Sequence, residues 1–208
     1  MEAILIPSGP SHPPAAAASS EAELVSGALA GMPEAWEALL VRCRKTSYLV
    51  ALQLLGSRED AMDVAQDALL RLVRSLDRFD TARSLTPWVA AITRNLVVDL
   101  VRRQKVRRAD SLEALLSQGG VEMADHSDSP EADAERRELR ARVARAVREL
   151  PPLYREVIVL RDYQDLTYDE IAGVLEIPRG TVMSRLHRAR SLLRGALASG
   201  TPPKGGAG

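Results

Sequence analysis

Residues 167–190 read TYDEIAGVLEIPRGTVMSRLHRAR, and this stretch decides the fold at its end of the chain. Thr167 and Glu170 have the spacing of a capping box, in which the Glu side chain reaches back to the Thr amide. Pro178 suits the start of a second helix. Two short helices separated by a turn of a few residues are typical of a helix-turn-helix.

The second helix of this motif has two distinct faces. Its apolar residues recur at helical spacing and form one stripe: Val182, Leu186, Ala189 and Leu193. Between residues 179 and 194 there are five arginines and no acid. Guanidinium groups pair with guanine, and hydroxyls suit phosphates or base edges. We therefore expect a DNA-contacting face, against the alternative of a solvated basic helix, formed by Arg179, Thr181, Ser184, Arg185 and Arg188.

A second basic helix is predicted over residues 86–108, which read TPWVAAITRNLVVDLVRRQKVRR, with Thr86 and Pro87 as N-cap and first helical residue. Five of its last seven residues are positive, more than pairing with the helix dipole requires. The sequence therefore predicts nucleic-acid contact here. Trp88 is either a core residue at the helix start or the edge of a site that stacks bases.

The order of these segments predicts an all-α protein with two small helical domains joined by a flexible acidic linker. Residues 109–138 carry nine acids and two bases, interrupted by Gly119, Gly120 and Pro130. The predicted divisions are a disordered arm (1–21), a first helical domain (22–108), the linker (109–131), a second helical domain (132–197) and a disordered tail (198–208).

Composition excludes several classes of protein. The formal net charge is zero, so only the local clustering of arginines indicates a polyanionic partner. Cys43 is a lone cysteine, which excludes an internal disulfide and a multi-cysteine metal site. The chain has no apolar run long enough to span a membrane and no basic signal-peptide start. We expect a cytoplasmic protein with no membrane insertion.

The sequence also gives no sign of an enzyme. The histidines are His12, His126 and His187; two lie in predicted disorder and one on the DNA helix. No Gly-rich phosphate loop or metal-ligand spacing is present. We therefore expect no catalytic residue, cofactor, metal or small-molecule substrate.

At this point the chain resembles the sigma-70 family of RNA polymerase sigma factors, in its small extracytoplasmic-function (ECF) form. GSREDAMDVAQDALLRLVRSLDRFD followed by TPWVAAITRNLVVDLVRR is similar to sigma domain 2. LPPLYREVIVLRDYQDLTYDEIAGVLEIPRGTVMSRLHRAR is similar to sigma domain 4. Both motifs, in this order and with an acidic linker between them, are highly specific.

The resemblance implies a role for each segment. Domain 2 would dock on core RNA polymerase through an acidic helix face formed by Asp60, Asp63, Gln66 and Asp67. It would also read and melt the −10 promoter element through Trp88, Arg94, Asn95, Asp99, Arg102 and Arg103. The helix-turn-helix would read the −35 element. The resemblance further implies an anti-sigma factor as partner, besides core polymerase and promoter DNA.

The alternative is a stand-alone helix-turn-helix regulator. That hypothesis explains residues 150–195 but gives no purpose to the basic helix at 94–108 or to the acidic face at 60–67. Sequence-specific binding to duplex DNA without polymerase, together with failure to co-elute with core enzyme, would favour it.

Overall fold

The computed structural model describes residues 16–110 and 130–199, with side chains over 21–106 and 137–199. All regular structure in these ranges is helical, which confirms the all-α prediction. The helices are α1 (Ala16–Leu29), α2 (Pro33–Leu55), α3 (Arg58–Ser75), α4 (Leu85–Asp110), α5 (Pro130–Glu149), α6 (Pro152–Ile158), α7 (Tyr168–Leu175) and α8 (Arg179–Ser199), with a 3-10 turn (Leu76–Arg78) after α3 and a π-helical turn (Val159–Tyr163) after α6.

The N-terminal domain (residues 16–110) is built around α2, which contacts α1, α3 and α4. Pro33 occupies the first turn of α2, and Gly56 ends it in the left-handed conformation that glycine adopts without steric cost. Ser57 then caps α3 by accepting a hydrogen bond from the Asp60 amide. The C-cap and the N-cap predicted from the sequence are therefore adjacent residues, and they set the tight turn between α2 and α3.

The predicted extent of the disordered N-terminal arm was wrong, because helix α1 includes its last residues. The disordered arm was expected to reach residue 21, but the helix begins at Ala16, and Val25 and Ala28 lie in the domain core. Glu21 is also buried, at 4% exposure. The part of the arm at residues 1–15 lies outside the described residues.

The start of α4 is also corrected. Thr86 and Pro87 were expected to form its N-cap and first residue, yet the helix begins at Leu85. The earlier start comes from a contact with a distant part of the chain. A Glu21 carboxylate oxygen accepts a hydrogen bond from the Leu85 amide at 2.9 Å and so satisfies one of the free N–H groups at the start of the helix. Pro87 then falls within the first turn, where its missing N–H costs nothing.

The C-terminal domain (residues 130–199) packs α5 and α6 against α8, with α7 completing the helix-turn-helix. The linker prediction at residues 111–129 and the tail prediction at 200–208 lie outside the described residues. Three helix ends lie two residues beyond the predicted domain bounds: α4 ends at Asp110, α5 begins at Pro130 and α8 ends at Ser199.

The two domains pack against each other. Val50 of α2 and Ala90 of α4 are fully buried in the same apolar cluster as Val157, Leu160 and the rest of the C-terminal core. Helix α2 contacts α5, α6 and the π-helical turn, and α4 contacts α7. The described residues therefore form a closed arrangement in which each domain covers part of the other.

Glu176 supplies the left-handed residue that ends α7, at φ 54° and ψ 44°, where such turns favour glycine. An L side chain there costs about 1–2 kcal/mol. We expect Glu176→Gly to raise the free energy of unfolding by about 1 kcal/mol. The substitution removes the backbone strain, but part of that gain is lost because glycine has greater conformational freedom in the unfolded chain. Chemical denaturation measures this. Glu176→Gln, which keeps the strain, is the control, and equal stability of both variants would contradict the prediction.

Candidate nucleic-acid interface

Helix α8 separates its faces as predicted. The stripe of Val182, Leu186, Ala189 and Leu193 is buried. The residues proposed to contact DNA lie on the outside: Arg179, Ser184 and Arg188 are exposed, and Thr181 and Arg185 are half-buried. The helix therefore presents hydroxyl and guanidinium groups on a rigid support.

Polar contacts hold the two helices of the helix-turn-helix in place, and one of them ties α8 to the rest of the domain. The capping box at the start of α7 is present in both directions, with the Thr167 amide donating to Glu170 Oε2 at 2.7 Å. Arg190 Nη2 donates to Asp162 Oδ1 at 2.8 Å, and this pair joins α8 to the π-helical turn. Arg179 lies 3.6 Å from Asp169 of α7, but both side chains are well exposed, so this pair contributes little.

The predicted −10 residues of α4 fall into two groups. Asn95, Arg102 and Arg103 are exposed, and Arg103 Nε donates back to the Asp99 carbonyl at 3.3 Å. Arg94 is instead directed toward the C-terminal domain. Its Nε lies 3.3 Å from Glu156 Oε1 and its Nη2 lies 3.5 Å from Glu156 Oε2.

Trp88 packs into the N-terminal domain. Its ring centroid lies 4.8 Å from that of Phe79, and both rings cover the cluster that contains Leu85 and Val89. The tryptophan is half-buried, so this geometry matches the core alternative weighed for it. A role in base stacking remains a prediction.

The predicted polymerase-docking residues share one side of α3. Asp63, Gln66 and Asp67 are exposed and Asp60 is half-buried, while Ala61, Val64 and Ala68 face the core. Exposed apolar side chains adjoin the acids on this helix: Met62, Leu70 and Val73. Exposed apolar side chains beside carboxylates fit a contact surface for a protein partner that carries basic groups.

Sequence reasoning missed two sets of polar residues. Glu21 accepts hydrogen bonds from Arg42, the Ser84 hydroxyl and the Leu85 amide, which ties α1 to α2 and to the start of α4. The helical spacing of Leu24, Val25 and Ala28 could have placed Glu21 on a helix. The second set is Arg155 and Glu156, which bridge the domains; no sequence signal marks such a pairing.

In the described residues, no group of His, Cys, Asp and Glu side chains is arranged to hold a metal ion. None of the described helices is long and apolar enough to cross a membrane. Cys43 is buried, and burial raises the pKa of its thiol to about 12, so the native protein holds it as an unreactive thiol.

One domain with an outward-facing recognition helix and another with a long basic helix define a two-domain helical DNA-binding protein. The chain matches the family models Sigma-70 region 2 over residues 39–107 and Sigma-70, region 4 over residues 140–193. It therefore belongs to the sigma-70 family of RNA polymerase sigma factors.

Curated relatives place it in the ECF group of that family. It is 34% identical over 173 residues to the ECF RNA polymerase sigma factor SigE of Mycolicibacterium smegmatis, covering 83% of this chain and 65% of that one. It is 33% identical over 150 residues to SigW of Bacillus subtilis, covering 71% and 80%. It is 33% identical over 175 residues to the ECF sigma-E factor of Escherichia coli K12, covering 82% and 90%.

Solved structures share the fold. The sigma factor RpoE, solved in complex with the anti-sigma factor NepR from Bartonella quintana, has a TM-score of 0.67 at 22% identity, over 78% of this chain and 96% of that one. CnrH, solved in complex with the cytosolic domain of CnrY, has a TM-score of 0.62 at 26% identity, over 86% and 98%. The two-domain helical fold is thus shared with these two solved structures.

Proposed function

We propose that the two domains divide promoter recognition between them, the C-terminal domain reading the −35 element and the N-terminal domain reading and melting the −10 element. The observation that carries this proposal is the outward-facing basic face of α8, mounted on a fully buried apolar stripe. A helix of this kind enters the major groove and contacts base edges with its N-terminal half. Exposed Asn95, Arg102 and Arg103 on α4 supply the corresponding polar face for the −10 element.

We assign core-polymerase docking to the exposed side of α3. Its carboxylates make no ion pair within the described part of the chain, so their charge is available to a basic partner surface. The protein acts in this scheme by binding in the cytoplasm and performs no covalent chemistry of its own. An anti-sigma factor is the expected negative regulator, by analogy with the Bartonella quintana complex.

A stand-alone helix-turn-helix regulator is the rival function, and one experiment separates the two. Purified protein is added to core RNA polymerase with genomic fragments, and the transcripts are mapped. We expect polymerase-dependent initiation at a limited set of sites, from which the promoter sequence is read. Specific duplex binding without polymerase, with no transcripts and no co-elution with core enzyme, would support the rival.

Arg185→Ala tests the −35 assignment at the level of one residue. The substitution should reduce discrimination at one position of the −35 element by about 1–3 kcal/mol, the value of a bidentate contact to a base. Transcription from promoters substituted at each −35 position measures it. Arg194→Ala, on an exposed residue of the same helix outside the proposed face, is the control. An unchanged promoter preference would remove Arg185 from the set of reading residues.

A further inference from the structure

One large apolar side chain of α8 lies outside the buried stripe of that helix. Met183 is 52% exposed, whereas Val182 and Leu186 on the stripe are 0% and 2% exposed. The remaining large apolar side chains of α8 are buried or half-buried: Leu192, Leu193 and Leu197. The core of the C-terminal domain therefore does not use the Met183 side chain, which is available to a partner.

A glycine that the domain itself does not require stands one turn before Met183. Gly180 is exposed, and its backbone is helical, so no left-handed conformation calls for glycine there. A methyl group added at Gly180 would meet no atom within 4 Å apart from its chain neighbours and its own helical backbone. Since alanine is more favourable than glycine in a helix, the fold alone would be better served by a side chain at this position.

Gly180 and Met183 are neighbours on the outer face of α8. At about 100° per residue, Gly180 projects between Met183 on one side and Ser184 on the other. Helical side chains lean toward the N-terminal end of their helix, so those of Met183 and Ser184 lie beside the turn that contains Gly180. We call this place the Gly180 recess: bare helix backbone at Gly180, with Met183 as its apolar wall and Ser184 as its polar wall.

The charged groups around the Gly180 recess indicate what it faces. Arg179, immediately before Gly180, and Arg188, one turn after Ser184, are both exposed. Guanidinium groups at these positions suit phosphates or guanine and would set a duplex against this side of α8. The recess also lies in the N-terminal half of α8, the part of a recognition helix that contacts base edges.

The chemistry of the Gly180 recess favours one group among the base edges. In the major groove, thymine is distinguished by its apolar C5-methyl group, and the other distinguishing groups are hydrogen-bond donors or acceptors. The thioether of Met183 has no donor and is only a weak acceptor, so a polar base group against it would lose water without gaining a partner. A methyl group instead gains apolar contact, and the flexible methionine side chain adjusts to it.

We propose that the Gly180 recess seats the C5-methyl group of one thymine in the −35 element, with Met183 as the residue that selects it. Gly180 permits the close approach because it places no side chain between the helix backbone and the base. This inference rests on the proposed −35 role of α8 and adds the identity of a base that its arginines and hydroxyls do not select.

The test uses the full-length protein bound to core polymerase, on a promoter found by transcript mapping. Each thymine of the −35 element, on either strand, is replaced in turn by deoxyuridine, which lacks only the methyl group. Initiation from the thymine and deoxyuridine fragments is measured in competition. We expect one position at which thymine is favoured roughly fourfold, the value of one buried methyl group.

Variants of the two residues assign that preference to the Gly180 recess. Met183→Gln, a polar side chain of similar length, should bring the ratio of thymine to deoxyuridine at that position to about one. Met183→Leu should keep most of the preference, because the wall stays apolar. Gly180→Ala should abolish or reverse the preference, since its methyl group fills the space that the thymine methyl needs.

Gly195→Ala is the matched control for the glycine substitution. Gly195 is also exposed on α8, and a methyl group added there meets nothing within 4 Å, but it lies in the C-terminal half of the helix. Both alanine variants should raise the melting temperature by about 2 °C. Only Gly180→Ala should lose the preference for thymine, and a loss in a more stable protein excludes a folding defect as its cause.

A −35 element with no position that favours thymine over deoxyuridine would overturn the proposal, as would a preference that Met183→Gln and Gly180→Ala leave intact. Replacement of whole base pairs at the −35 positions separates this proposal from the proposed function. If those replacements change initiation while deoxyuridine does not, α8 reads the −35 element without the Gly180 recess. If neither change has an effect, the proposed −35 role of α8 is wrong as well.

Discussion

Glu21→Ala is expected to lower the free energy of unfolding by roughly 3 kcal/mol. This value is the lower end of the range for breaking a buried ion pair, because the Arg42 side chain is partly exposed. The substitution removes the acceptor for Arg42, the Ser84 hydroxyl and the Leu85 amide together. The amide at the start of α4 then loses its partner, so the first turn of α4 should also exchange amide hydrogens faster.

Urea denaturation and hydrogen exchange measure these two effects. Glu23→Ala is the matched control, since Glu23 lies on the same helix and is exposed. Glu21→Gln should fall between the two, because it keeps an acceptor for Leu85 but loses the charge opposite Arg42. Equal stability of the Glu21→Ala and Glu23→Ala variants would show that α1 does not anchor the domain.

The double substitution Asp63→Lys and Asp67→Lys is expected to abolish measurable binding to core polymerase at micromolar concentration. In the proposed docking, two reversed charges would face a basic partner surface and cost several kcal/mol, and each 1.4 kcal/mol is about tenfold in affinity. The fold should be unaffected, since both side chains are exposed and make no ion pair within the described residues.

Co-elution of the protein with core polymerase measures this loss. Glu23→Lys with Glu37→Lys reverses two exposed acids on α1 and α2 and serves as the control for total charge. Retained binding by the α3 variant, or equal loss in the control, would move the docking surface away from this face.

The sequence predicted the elements whose cause is local. Pro33, Gly56, Ser57 and the capping box of Thr167 and Glu170 each act within one turn of their own position, and all lie where expected. The two faces of α8 were predictable for the same reason, because helical periodicity places the apolar stripe independently of the rest of the chain.

The sequence could not predict features whose cause is distant in the chain. Leu85 begins α4 because a carboxylate 64 residues earlier caps it, and Thr86-Pro87 offered a stronger local signal. Arg94 was expected on an open DNA surface, and its pairing with Glu156 depends on how two separate domains meet. Trp88 fits either a core or a base-stacking role by residue type, and only packing against Phe79 favours the core.

The length of helix α4 limits the size of the DNA element that is proposed to bind it. Trp88 and Arg102 are 14 residues apart, which corresponds to about 21 Å along the helix axis at about 1.5 Å per residue. Stacked nucleotides of one strand repeat about every 3.4 Å, so this interval spans about six of them. If α4 reads the −10 element as proposed, the number of nucleotides that this one uninterrupted helix can contact is limited by its backbone length before any side chain selects a base.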